Sequence, residues 1–111
     1  MRVIAIMKSL LLQMIYKVKY HGRIDFGSGH HLFGKQCKIL IKGKDSEISM
    51  DGVRLNDYAL LSASEGGTLV IGKNVGINRC ANIVAHKSIR IGDGCSFGPN
   101  VCIYDHDHYF D

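Results

Sequence analysis

A six-residue period between Ile71 and His108 constrains the fold of this 111-residue chain more than any other feature. Ile71-Gly72-Lys73-Asn74-Val75-Gly76 is followed by Ile77-Asn78-Arg79-Cys80-Ala81-Asn82 and by Ile83-Val84-Ala85-His86-Lys87-Ser88. Two extra residues, Ile89 and Arg90, intervene. The period then resumes with Ile91-Gly92-Asp93-Gly94-Cys95-Ser96, Phe97-Gly98-Pro99-Asn100-Val101-Cys102 and Ile103-Tyr104-Asp105-His106-Asp107-His108. A large apolar residue opens each hexad, and Val75, Ala81, Cys95 or Val101 stands four places later in most of them. An α-helix cannot use this pattern, because six residues advance the chain by about 600° and turn each opening residue roughly 120° away from the last. Short strands joined by turns can.

Each hexad then lays one flat face, and three faces close a triangular coil of about 18 residues with the opening residues inside. Gly and Asn near the corners permit turn conformations that other residues resist. The pairs Ile39/Ile41, Leu69/Ile71 and Ile89/Ile91 suit strands, one side chain in and one out. Between Gly43 and Gly67 the register is irregular, which predicts distorted early coils.

The stretch IGDGCSFGPNVCIYDHDH, residues 91–108, carries a resemblance. With the repeats, it resembles the hexapeptide-repeat acyltransferases, most nearly the sugar O-acetyltransferases of the maltose and galactoside acetyltransferase type and their relatives that modify capsular and envelope polysaccharides. The resemblance spans residues 21–111. It implies an all-β domain over 21–111, a left-handed parallel β-helix; the N-terminal amphipathic helix over 1–20 is read from its own residues, below. It also implies acetyl-CoA as acyl donor, a sugar or glycan hydroxyl as acceptor, no metal, and a homotrimer with active sites between neighbouring subunits. Members of the family continue for several more coils, so it implies a domain incomplete at its C-terminal end and an impaired activity. A fold does not carry a chemistry, so function must be argued from side chains.

Asp105-His106-Asp107-His108 is where that chemistry is expected. Transfer of an acyl group from a thioester to a hydroxyl needs a base of near-neutral pKa, which histidine supplies. A neighbouring carboxylate can fix the ring tautomer, and a backbone N–H can stabilise the tetrahedral oxyanion. The family's catalytic histidine falls seven residues after the Val of its Pro-Asn-Val corner; here that corner ends at Val101, and the match is His108. His106 is the alternative base, and Asp105 and Asp107 are both candidates for the orienting carboxylate. Asp107 departs from relatives with a small residue before the histidine, so which aspartate orients the ring stays open. His86 holds the same place in its hexad as His106, 20 residues on, and is expected to stack with it and contact the acceptor. Asn82 is the second substrate-binding candidate. His21, His30 and His31 lie outside the repeat and are expected at the surface.

The first twenty residues differ in texture. They lack Gly and Pro, and Ile4, Met7, Leu11, Ile15 and Val18 fall on one helical stripe relieved by Arg2, Lys8, Lys17 and Lys19. Lys8 interrupts the apolar run well short of the roughly 18 residues of a spanning helix, and no cleavage site follows. Such a helix can cap the open end of the following domain, or lie on an anionic membrane surface as a peripheral contact. The expected compartment is cytoplasmic, at the inner face of the membrane in the second case.

Composition excludes several classes. A formal net charge of +4, with no basic run interleaved by aromatics, does not point to nucleic acid. Cys37, Cys80, Cys95 and Cys102 form no CxxC pair and are expected as small core residues. Two other functions fit a β-helix. One is a zinc-dependent, carbonic-anhydrase-like lyase using His86, His106 and His108; the other is a non-catalytic trimerisation or interaction module.

Overall fold

The computed structural model describes residues 2–105, so His106, Asp107 and His108 lie outside the described residues. Helix α1 (Arg2–Lys19) precedes strands β1 (Ile24–Asp25), β2 (Leu32–Phe33), β3 (Lys38–Ile41), β4 (Glu47–Leu55), β5 (Leu60–Ala63), β6 (Thr68–Ile77), β7 (Asn82–Ala85), β8 (Ser88–Ile91), β9 (Ser96–Phe97) and β10 (Cys102–Tyr104). All their pairings are parallel. The result is a β-solenoid of about four turns with a helix at its start.

Each turn has three faces. β1, the first half of β4, the first half of β6 and β8 stack on one; β2, the second halves of β4 and β6, and β9 stack on the next. β3, β5, β7 and β10 build the third. β4 and β6 run on around a corner, with a register shift between Met50 and Asp51.

The turns are longer than eighteen residues. Ile24 pairs with Ile48, Leu61 with Ile83, Ile48 with Leu69 and Leu69 with Ile89, steps of 24, 22, 21 and 20 residues. The extra residues sit at the corners, where an added residue does not change which side chains face inward. Residues 43–67 build the second turn: β4 and β5 pair with the turns on either side, and a break in the β4 register, between Met50 and Asp51, lies within the stretch expected to be irregular.

Inside, alternation does the work. Leu69 and Ile71 are buried while Thr68 and Val70 are less so; Ile39 and Ile41 flank the outward Leu40 in the same way. Both members of these pairs therefore point inward, and the residue between them points out. Ile71, Ile77, Ile83 and Ile91 are buried as the hexads require, as are Val75 and Ala81. Phe97 and Ile103, on the fourth turn, are only half-buried against the same core. Each fully buried Ile or Leu contributes about 1.5–3 kcal/mol from burial. The cysteines are not core residues as a class: Cys37 and Cys95 are half-buried, whereas Cys80 and Cys102 are exposed. Cys80 occupies a corner with φ of 61°, where its side chain must face out.

Aspartates staple successive corners. Asp57 accepts the Lys35 N–H at 2.7 Å, and Asp93 accepts the Lys73 N–H at 2.7 Å. Asp51 accepts from Ser28 and Gly29. The residue before Lys35 and before Lys73 is a glycine, Gly34 or Gly72, because a Cβ there would meet the next turn's aspartate: 2.7 Å from the Asp57 nitrogen and 2.9 Å from that of Asp93.

The first turn is closed by aromatic rings. Tyr20, Phe26 and Phe33 are buried, and His31 is buried among them, 5.3 Å from the Phe26 ring centre. His31 is thus not the surface residue expected. Its Nε2 accepts the Gly52 N–H at 3.0 Å, and burial lowers its pKa.

Helix α1 does pack on this end, against β1 and β2, but not by its apolar stripe. Ser9 Oγ accepts the Phe33 N–H at 3.0 Å, Tyr16 Oη accepts the Ile39 N–H at 3.3 Å, and the Tyr20 hydroxyl donates to the Ile39 carbonyl at 3.3 Å. Leu12 and Tyr16 pack beside them. The stripe Ile4, Met7, Leu11, Ile15 and Val18 faces solvent, with exposures from 49% at Ile15 to 81% at Val18.

Candidate functional site

The corner between the third and first faces carries the described part of the candidate cluster. On the second turn it follows β5 and holds Glu65, whose backbone φ is 55°. One turn on it follows β7 and holds His86, and one turn further it follows β10 and holds Asp105. The stacking follows from register: Leu61 pairs with Ile83 and Ile83 with Ile103, so the residues that leave these strands leave from one edge.

Glu65 and Asp105 both meet His86 at this corner. The Glu65 carboxylate lies 3.3 Å from His86 Nδ1, a distance that favours the proton on that nitrogen. With Glu65 largely exposed, the pair contributes little to stability. The Asp105 carboxylate accepts the backbone N–H groups of His86, Lys87 and Ser88 at 2.7, 2.8 and 2.6 Å. Asp105 is therefore another corner staple, closing the fourth turn onto the third as Asp57 and Asp93 close others. A carboxylate held by three amides has its position fixed.

Of the sequence candidates, His86 and Asp105 are brought together, with Asp105 meeting the backbone of His86. The 20-residue offset between His86 and His106 equals the register of β7 against β10; His106 itself, with Asp107 and His108, is outside the described residues. Asn82 is at the opposite end of β7, about 13 Å from His86 at the usual rise per strand residue. It lines a separate hollow of about 380 Å³ with Gln36, Lys38, Tyr58 and Leu60. Its own N–H donates to the Val101 carbonyl at 2.8 Å. Asn82 and His86 do not face one compact pocket.

Glu65 is the residue that sequence reasoning missed. It lies 21 residues before His86, close to one turn, but inside the stretch whose register looked irregular. Among the described residues, no group of three or more His, Cys, Asp or Glu side chains is placed to hold a metal. No helix among them is long and apolar enough to cross a membrane. Burial raises the Cys37 thiol pKa, which keeps it protonated and unreactive near neutrality.

No protein-family model, curated protein or solved structure matches the chain.

Proposed function

We propose that this protein is an acetyl-CoA-dependent O-acetyltransferase acting on a sugar or glycan hydroxyl, with His108 as general base and His106 as the alternative. One observation carries the reading. The hexads of residues 91–108 begin on the fourth turn of a parallel β-solenoid, in register with the turn below, and their Asp-His-Asp-His run starts at the corner that already holds His86 and Glu65. The resemblance that motivates the chemistry requires that match of motif and coil.

The step needs no enzyme nucleophile. The imidazole takes the acceptor hydroxyl's proton as the oxygen attacks the thioester carbonyl. A tetrahedral oxyanion forms and is stabilised by an N–H donor. Its collapse breaks the carbon–sulfur bond, and the leaving thiolate takes the proton from the imidazolium. Acetyl ester and free coenzyme A result. Asp105 and Asp107 are the two candidate carboxylates for orienting the ring, and Asp105 also ties the fourth turn to the third. His86, oriented by Glu65, supplies a polar contact for the acceptor; Asn82, at the far end of β7, would reach only an extended glycan. A side-by-side homotrimer would set the histidine of one subunit against the coils of another.

Calorimetric titration with coenzyme A, with elemental analysis of the same sample, tests the reading. Saturable binding without stoichiometric zinc is expected. Tightly held zinc with no coenzyme A binding would favour the lyase, and neither would favour the interaction module.

A further inference from the structure

Helix α1 is inverted relative to an ordinary surface helix, which buries its apolar stripe and shows water its polar one. At 100° per residue, Ile4, Met7, Leu11, Met14, Ile15 and Val18 span an arc of about 100°, and all six are exposed. Ser9, Tyr16 and Tyr20, which hold the helix to the first turn, centre on the opposite side. The apolar face is thus directed away from the solenoid by fixed hydrogen bonds. It is not an unpacked part of the core.

Charge identifies what covers it. Lys8 and Lys19 border the arc on one side and Lys17 stands beyond its other edge, all three exposed. No acidic residue occurs before Asp25. A second copy meeting this face in antiparallel or parallel register would bring lysines towards lysines with no carboxylate on either helix to pair them. An anionic bilayer surface instead accepts the aliphatic side chains between its acyl chains and offers headgroup charge to the flanking ammonium groups, which snorkel outward on their stems.

We propose that α1 is an in-plane membrane anchor: its Ile4–Val18 face inserts at the surface of an anionic bilayer and its lysines bind lipid headgroups, holding the solenoid by Ser9, Tyr16 and Tyr20 on the membrane. This rests on the helix and first turn alone, and stands or falls separately from acetyl transfer.

Co-sedimentation of the chain with phosphatidylcholine vesicles, with and without phosphatidylserine, tests it. Binding to the phosphatidylserine vesicles is expected, weak on phosphatidylcholine alone and loosened by salt. Lys8→Gln, Lys17→Gln and Lys19→Gln should each weaken it about fivefold. The pair Leu11→Glu and Ile15→Glu should leave the protein in the supernatant, with the β-sheet circular dichroism unchanged because neither side chain touches the solenoid face of α1. No binding to either vesicle would overturn the proposal, as would equal binding to both. So would a lipid-free oligomer that Leu11→Glu and Ile15→Glu dissociate, since a second copy would then cover the face.

Discussion

Asp105→Ala would leave the His86, Lys87 and Ser88 N–H groups without their carboxylate. Water can reach most of this corner, so the expected loss is about 1–2 kcal/mol in urea unfolding. Faster amide exchange should accompany it at residues 86–88; unchanged exchange there would contradict the staple. Cys80 poses the reverse case. At φ 61° a non-glycine residue is strained, and Asn tolerates that region best. Cys80→Asn should therefore raise stability by up to about 1 kcal/mol, read from the same curves. At His31, burial holds the folded pKa below the usual value of about 6.5. The unfolded chain takes up that proton first as pH falls. His31 thus favours the folded state fully above about pH 6.5 and progressively less as pH drops toward its lower folded value. Replacing it with Asn should flatten this slope between neutral and mildly acidic pH; an unchanged slope would assign the loss to other groups. The Asp105 and His31 environments were not legible in the sequence, because each depends on residues one turn away, and Cys80 gives no sign in the sequence of its left-handed backbone. Asp105 reads as chemistry beside His106 and only the stacked corner reveals it as a staple.

Strands were more legible, since inward positions repeat along the chain itself. The openers Ile71, Ile77, Ile83 and Ile91 are core residues, whereas Phe97 and Ile103 share the period but only half the burial. Ile83→Ala should consequently cost about 2–5 kcal/mol and Ile103→Ala distinctly less, near or below the lower end of that range. Equal losses would mean that the fourth turn is as tightly covered as the third. Residues 43–67 hid their strands because steps of 21 and 22 residues drift against a strict six-residue count. The helix hid its orientation for a different reason. A helical period tells which side chains share a face, but only the hydrogen bonds of Ser9, Tyr16 and Tyr20 decide which face meets the protein.

The molecule as a whole is a short parallel prism, plugged by aromatic rings and α1 at its first turn and carrying the His86–Glu65–Asp105 corner toward the other end. If its sites are shared between subunits, sedimentation equilibrium should show a trimer, and a monomer at every concentration would remove that assembly from the mechanism. The proposed activity is acetyl transfer through a histidine base. Its most direct test is the steady-state release of coenzyme A from acetyl-CoA over a panel of saccharides, with the unaltered protein and His108→Ala compared side by side. Acceptor-dependent turnover is expected, reduced by about 10²–10⁴-fold in the variant through kcat with little change in KM. Turnover that persists in His108→Ala at nearly the original rate would contradict it.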